Sequence, residues 1–336
     1  MVWRDAQDVD RYWLNAVLHE EGAWTAGTFG DVTIELIGAE FGLAGQCYRV
    51  SGATDSGPTS IVVKYGKAEI VDRVRAFHKL AGSRLRGQIP QFYGGWTDAQ
   101  AERGLLLLEY IEHERQGDVL EGCSEADALA LVRLLARLHG SLACPDESTL
   151  PAVFPRWTPT PMDDEKWEDR LERATSRYPD LLSTGIGLRL RDAPQRFEAE
   201  VAPLRTAPVT LIHRDVHLDN VLFRADGSPV LLDWDGVSIG PGAADLARVL
   251  AEGTSLASAH QSLAGLLAAY LEEVRKAGAS DANLSDLTAY VNAAMVPHLQ
   301  GAIAWAGAPG NDSLLKTRVL ALRRQLLERM CDWFEG

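Results

Sequence analysis

The stretch Leu211-Ile-His-Arg-Asp-Val-His-Leu-Asp-Asn-Val-Leu-Phe223, followed by Val230-Leu-Leu-Asp-Trp-Asp-Gly236, constrains this chain more than any other part of it. It sets Asp215 behind His213 and Arg214, then Asn220, then Asp233 at the end of an apolar run. Two short apolar runs, Val209 to Ile212 and Val230 to Leu232, flank the loop Arg224 to Pro229, so the stretch reads as hairpin-borne. On that reading Asp215, Asn220 and Asp233 come together at one mouth. Phosphoryl transfer asks for such a set, because it needs little covalent help and much placement. A carboxylate accepts the proton of the attacking hydroxyl, and oxygen ligands hold Mg²⁺ against the nucleotide phosphates. The order and separation of the three residues carry the reading; none of them carries it alone.

The rest of the chain is compatible with a large enzyme. At 336 residues and 46% hydrophobic content it can bury a substantial core, most simply as two lobes. A net charge of −14 argues against a nucleic-acid-binding surface. The imbalance is uneven: residues 1–108 hold 11 basic and 13 acidic groups, whereas 109–336 hold 22 and 34. That field suits a cationic substrate on the second part, and an ordinary soluble acidic surface accounts for it as well. Cys47, Cys123, Cys144 and Cys331 are scattered, without the paired spacing of a zinc site, as expected of reduced thiols in the cytoplasm. No signal-peptide-like start or membrane-spanning apolar run is visible; Arg133 and Arg137 interrupt the most leucine-rich segment. A soluble cytoplasmic protein with no membrane partner is the expectation.

Periodicity divides the chain into a strand-rich and a helix-rich part. An amphipathic helix over 8–21 is followed by strands over 32–37, 46–51 and 60–65, a helix over 67–80, and strands over 91–96 and 104–109. This predicts a small five-stranded antiparallel sheet with one covering helix in an N-lobe, residues 1–108. Residues 109–336 are expected to form a mainly helical C-lobe carrying the catalytic loop and acceptor site. Its helices are read over 124–142, 163–178, 243–252, 258–278, 285–305 and 311–334, with Ser124 and Asp127 as a capping pair. Five prolines between Cys144 and Pro161 mark a connector. The fold class is α+β.

Each candidate residue has a plainer alternative. Asp215 is read as the base or orienter of a substrate hydroxyl, against an exposed loop aspartate. Asn220 is read as an amide-oxygen ligand of Mg²⁺, against an Asx-turn; Asp233 as a ligand bridging metal and phosphates, against a turn aspartate before Gly236. Asp219 and Asp235 read as solvated loop carboxylates, or as contacts of a second metal. His213 is expected to have a structural role, and His217 either a substrate contact or a satisfied loop position. Lys64, ending Ser60-Ile-Val-Val-Lys64, is placed to neutralise α- and β-phosphates, against a solvent-side strand lysine. Gly42 and Gly45, in Phe41-Gly-Leu-Ala-Gly-Gln46, are read as a glycine-rich turn able to aim N–H groups at phosphate. Glu109 to Ile111 is where a hinge offers backbone groups to adenine. Asp245 is read as a helix N-terminal carboxylate that also braces the catalytic loop.

These residues resemble the aminoglycoside phosphotransferase and choline-kinase-like superfamily, nearest to bacterial ecdysteroid-kinase-like small-molecule phosphotransferases. The supporting stretches are Ile61-Val-Val-Lys64, Leu105-Leu-Leu-Leu-Glu-Tyr110, Arg115-Gln-Gly-Asp118, Leu134-Leu-Ala-Arg-Leu-His139, His213 to Asn220 and Leu231-Leu-Asp-Trp234. The resemblance implies a bilobal protein-kinase-like fold and Mg-nucleotide-dependent phosphorylation of a small-molecule hydroxyl. It implies Asp215 as base, Asn220 and Asp233 as metal ligands and Lys64 as phosphate contact. Two departures stand out. Arg73 falls where the family supplies a glutamate to the lysine, leaving Glu69, Asp72 or the phosphate itself as its partner. Arg214 falls where many small-molecule kinases carry glycine.

The expected donor is ATP, with GTP open, and the expected acceptor a hydroxylated small molecule, such as an antibiotic or other natural product modified in a resistance or self-protection role. A metabolic kinase of a sugar or amino alcohol, and a nucleotide-binding scaffold without turnover, are the alternatives. A protein kinase is disfavoured, since no activation-loop segment leads to an Ala-Pro-Glu after Gly236.

Overall fold

The computed structural model describes residues 9–21, 23–38, 46–98, 100, 102–144, 146–183, 185–253, 256–279, 283–310 and 317–335. Gly42 and Gly45 lie outside the described residues. In chain order the elements are α1 (Arg11–Glu21), β1 (Val32–Ile37), β2 (Gln46–Thr54), β3 (Gly57–Lys67), α2 (Ala68–Ala81), β4 (Phe92–Asp98), β5 (Arg103–Glu109) and β6 (Arg115–Gln116). There follow α3 (Glu125–Ser141), α4 (Asp164–Arg177), α5 (Pro179–Leu182), α6 (Gly185–Arg191), α7 (Ala193–Val201), β7 (Val209–Ile212), β8 (Val221–Phe223), β9 (Pro229–Leu231) and β10 (Ser238–Pro241). The last four are α8 (Ala243–Gly253), α9 (Leu256–Lys276), α10 (Leu284–Ala306) and α11 (Thr317–Glu335). The chain forms two compact units. One is Met1–Arg115 with Leu150–Pro155 and Leu222–Val237; the other is Gln116–Thr149, Arg156–Val221 and Ser238–Gly336.

The first unit is built on an antiparallel sheet of order β1-β2-β3-β5-β4. Alternation along β3 assigns its two faces. Ile61 and Val63 join Val50, Leu105 and Leu107 in a buried cluster with Trp13, Leu14, Val17 and Leu18 of α1. Lys64 therefore points to the opposite face, and it is 7% exposed. Helix α2 buries Val71, Val74 and Phe77. It comes close because Gly95 and Gly104 carry no side chain: a Cβ would stand 2.9 and 2.5 Å from the Val71 methyls. The loop 224–229 joins β8 to β9, with the Arg224 N–H donating to the Ser228 carbonyl at 3.0 Å.

That hairpin corrects the sequence reading. Val209–Ile212 is not its first arm; this strand pairs antiparallel with Ser238–Pro241 in the second unit. Short apolar runs look alike, and their pairing is decided by tertiary contacts.

The second unit is mainly helical. The expected cap of α3 is a full box: the Asp127 N–H donates to Ser124 Oγ, and the Ser124 N–H to Asp127 Oδ2. Helix α3 packs along α9, and α10 lies against α4, α8 and α11. Arg177 of α4 donates to the carbonyls of Ala306 and Ala308, satisfying the C-terminal end of α10. Among the described residues no helix is long and apolar enough to cross a membrane.

Candidate active site

In the first unit, Lys64 is held by carboxylates that the sequence reading did not assign to it. Its Nζ lies 2.6 Å from Asp233 Oδ1 and 2.8 Å from Asp235 Oδ2. Burial alone disfavours the ammonium, but the two carboxylates reverse this and hold the lysine above its ordinary range. Burial and repulsion from Asp233 lift the Asp235 carboxyl, with Lys64 opposing. Asp235 is thus a partner of the lysine rather than a solvated loop carboxylate. Among the residues offered by α2, Asp72 pairs with Arg75 instead. Arg73 turns to the same turn as Asp235, donating from Nη1 to its backbone carbonyl at 2.7 Å.

The turn bearing the two aspartates is fixed from below. Trp234 is 3% exposed, stacks on Phe77 of α2 at 4.0 Å and 14°, and donates its indole N–H to the Leu231 carbonyl at 3.0 Å. Asp233 itself is left-handed, at φ 59°, an unusual conformation for a non-glycine residue. Nearby in sequence to the expected hinge, Ile111 packs with Leu222 and Val230 in a small buried cluster. The Glu109 N–H donates to the Gln91 carbonyl at 2.8 Å, and the Ile111 carbonyl lies 2.8 Å from His113 Nδ1.

The second unit carries Asp215 and Asn220. The loop is clamped at its start by Asp245, which is fully buried at the beginning of α8. Asp245 accepts the His213 N–H at 2.7 Å and the Arg214 N–H at 2.8 Å. His139 Nε2 sits 3.1 Å from the same carboxylate, and His139 Nδ1 is 2.8 Å from the Tyr270 hydroxyl. Nε2 meets the carboxylate as a donor, which leaves Nδ1 to face the Tyr270 hydroxyl. The bracing role read for Asp245 is what the geometry displays. Arg214 has φ 71°, which explains why glycine suits this position, and its N–H is what Asp245 holds.

Beyond the clamp, fully buried His213 accepts the Asp215 N–H on Nδ1 at 3.2 Å. The Asp215 carboxylate is 47% exposed and faces two nitrogenous groups. Arg248 Nη2 of α8 is 2.9 Å from Oδ1, and His217 Nε2 is 3.6 Å from Oδ2. Partial burial would raise this carboxyl, but His217, Arg248 and His213 together hold it well below the usual carboxylate range. Arg248 also lies 3.2 Å from Glu252. Asn220 spends its amide N–H on the Asp215 carbonyl at 3.0 Å and lies 3.2 Å from His217 Nε2. That orientation keeps the amide oxygen as the acceptor. An amide oxygen, as on Asn220 in the second unit, and a carboxylate oxygen, as on Asp233 in the first, are each the donor type a hard divalent cation such as Mg²⁺ takes.

Sequence reasoning missed Arg248, Arg318 and the pairing of Asp219. Asp219 is 5% exposed and receives Arg318 Nη2 on both oxygens at 2.8 Å, so it is not a solvated carboxylate. A signal for Arg248 was present: Asp245, Arg248 and Glu252 recur at helical spacing among the buried Leu246, Ala247, Val249, Leu250 and Ala251.

Comparison with known proteins gives the following. A model of the phosphotransferase enzyme family matches residues 55–282, more than half of the chain. No match was found among curated proteins. The structure resembles a candidate aminoglycoside phosphotransferase from Ralstonia eutropha, at 15% identity over 97% of this chain and 98% of that one, with a TM-score of 0.60. It also resembles the GDP complex of aminoglycoside 2'-phosphotransferase-IIIa, at 13% identity over 97% and 100% of the two chains, TM-score 0.58. Choline kinase LicA of Streptococcus pneumoniae is similar at 16% identity over 90% and 94%, TM-score 0.53. At these identities the likeness establishes a protein-kinase-like fold.

Proposed function

This chain belongs to the phosphotransferase enzyme family, and we propose that it transfers the γ-phosphoryl group of a Mg-nucleotide to the hydroxyl of a small molecule. Asp215 accepts the proton of that hydroxyl as its oxygen bonds to γ-phosphorus and the nucleoside diphosphate leaves. The observation that carries the reading is the state of this carboxylate: half-exposed, ionised, and oriented by a loop clamped at His213 and Arg214. A carboxylate held so far below the ordinary range is a weak base. Its main work is then to orient the hydroxyl and to take the proton late, which suits a loose transition state.

Lys64 neutralises α- and β-phosphates, exchanging its bond to Asp233 for them while Asp235 keeps hold of the ammonium. Asn220 and Asp233 are the oxygen ligands of Mg²⁺, which when bound neutralises phosphate charge. The backbone groups of Glu109 and Ile111 are assigned to the base, and the glycine-rich turn with Gly42 and Gly45 is assigned to the phosphates from its composition alone. ATP is the donor, with GTP as the other candidate. The acceptor is an antibiotic or related natural product, modified for resistance or self-protection; a sugar or amino alcohol is the second reading, supported by the likeness to a choline kinase. Retention of Lys64, Asp215, Asn220 and Asp233 argues against a silent scaffold.

The test is nucleotide consumption with product mass, using Mg-ATP and Mg-GTP across aminoglycosides, other hydroxylated antibiotics, sugars and amino alcohols. A product heavier by one phosphoryl group, lost in Asp215→Ala, is expected. Nucleotide binding without turnover on the whole panel would overturn the reading in favour of the scaffold.

A further inference from the structure

The turn Leu218–Asn220 does not stand alone in the second unit; it is stitched to residues 116–120. Gln116 Nε2 donates to the Asp219 carbonyl at 2.7 Å, the Gly117 N–H to the Val221 carbonyl at 2.8 Å, and the Val119 N–H to Asp219 Oδ1 at 2.9 Å. Glycine is required at 117, because a Cβ there would stand 2.4 Å from the Leu218 carbonyl oxygen.

Helix α11 grips both strands of this pair. Arg318, in its first turn, reaches Asp118 Oδ2 through Nη1 at 2.8 Å and both oxygens of Asp219 through Nη2 at 2.8 Å. Further along, Gln325 donates to the carbonyls of Val119 and Leu120 at 3.2 Å, and Arg329 donates to Val119 at 3.4 Å. The Asp219 side chain is 4% exposed, and both its oxygens are engaged, so it is not itself available to a metal. Its neighbour in the chain is Asn220. A guanidinium fork is what the arrangement demands, since one planar group must serve two carboxylates at once.

We propose that Arg318 is a positioning residue for the divalent metal: by locking Asp219 against Asp118, it fixes the amide of Asn220 in its ligating orientation. The proposal rests on Asn220 being a metal ligand. A C-terminal helix thereby tunes a site to which it contributes no ligand. Removal of such outer partners commonly weakens metal binding by roughly 10–100-fold.

The experiment uses Mn²⁺ as the probe, titrated into the full chain with saturating ADP and followed by loss of the free-ion electron paramagnetic resonance signal. Metal-free ADP binding is measured beside it by calorimetry. Arg318→Gln is expected to weaken Mn²⁺ about tenfold or more while metal-free ADP affinity changes by less than about twofold. Arg318→Lys keeps the charge but not the fork, and should fall between it and wild type. Mn²⁺ affinity within twofold of wild type, with only a lower thermal midpoint, would show a mere structural brace and overturn the proposal. Should Arg318→Gln not fold, Asp118→Asn and Arg318→Lys decide: unchanged Mn²⁺ affinity in both refutes it, and weakening in either supports it. Asn220→Ala separates the premise, because wild-type Mn²⁺ affinity there defeats the ligand assignment itself.

Discussion

Asp245→Asn tests how much of the catalytic loop depends on one buried carboxylate. The wild-type oxygens divide their contacts: Oδ1 accepts the Arg214 N–H, while Oδ2 accepts the His213 N–H and faces His139 Nε2. An amide offers only one acceptor oxygen. Whichever way it turns, its NH₂ meets at least one N–H, leaving that buried donor unpaired at about 1–3 kcal/mol. The bonds that survive lose their charge assistance, at roughly 1 kcal/mol each. Relief of burying a charge works the other way. It does not prevail, because the site prefers the anion: burial raises the carboxyl, yet His139 and the loop bring Asp245 below the usual carboxylate range. A net loss of about 3 kcal/mol follows, or roughly 6–12 °C for a unit of about 200 residues. The sign of the pH dependence is fixed too. A carboxyl depressed in the fold stabilises above its unfolded value near 4 and loses that contribution as pH falls through the folded value. The gap between wild type and Asp245→Asn should therefore narrow below pH 4. Thermal unfolding followed by circular dichroism at pH 7.5 and in the acid range measures both. A midpoint within 2 °C of wild type at pH 7.5 would refute the clamp.

Two further outcomes are expected. Arg248→Gln removes the cation 2.9 Å from Asp215 Oδ1; the carboxylate is half-exposed, so solvent limits the loss to about 1 kcal/mol, and kcat should fall about five- to tenfold with nucleotide KM unchanged. Steady-state kinetics with the acceptor that the panel identifies checks this, and unchanged kcat would contradict the orienting role. His78 and His298 are both lowered by burial to about 4, so the unfolded chain takes up protons that the fold excludes. Stability should be full above about pH 6.5 and decline as pH falls toward 4. Urea midpoints across that range measure the decline, and His78→Phe should flatten it.

The parts of this protein legible in its sequence are those where one residue type meets a local rule. Alternation marks β3 and places Lys64 opposite Ile61 and Val63. Ser124 and Asp127 announce the start of α3 because a cap is made within four residues. The helices α5 and α7 were not legible: both are short and begin at or beside a proline, at Pro179 and Pro194, which reads as a break although proline fits the first helical turn. β10 was hidden for a related reason. Ser238-Ile-Gly-Pro241 has no apolar run, and it becomes a strand only by pairing with Val209–Ile212.

The partners of Lys64 and Asp219 escaped sequence reading for one cause, which is that charge pairing over long separations has no local signature. Helical spacing offers Glu69 or Asp72 to Lys64, yet its partner Asp233 is 169 positions away. Arg318 reaches 99 positions to Asp219. The same pattern recurs each time: Lys64 between Asp233 and Asp235, Arg248 between Asp215 and Glu252, Arg318 between Asp118 and Asp219. One cation serving two carboxylates leaves each group with a net negative charge. That surplus of negative charge is what suits a divalent cation or an acidic proton. A helix glutamate paired one-to-one with Lys64 would leave no such surplus. On this argument Arg73, where the family supplies that glutamate, is no defect: it holds the Asp235 backbone, and Asp235 takes over the pairing.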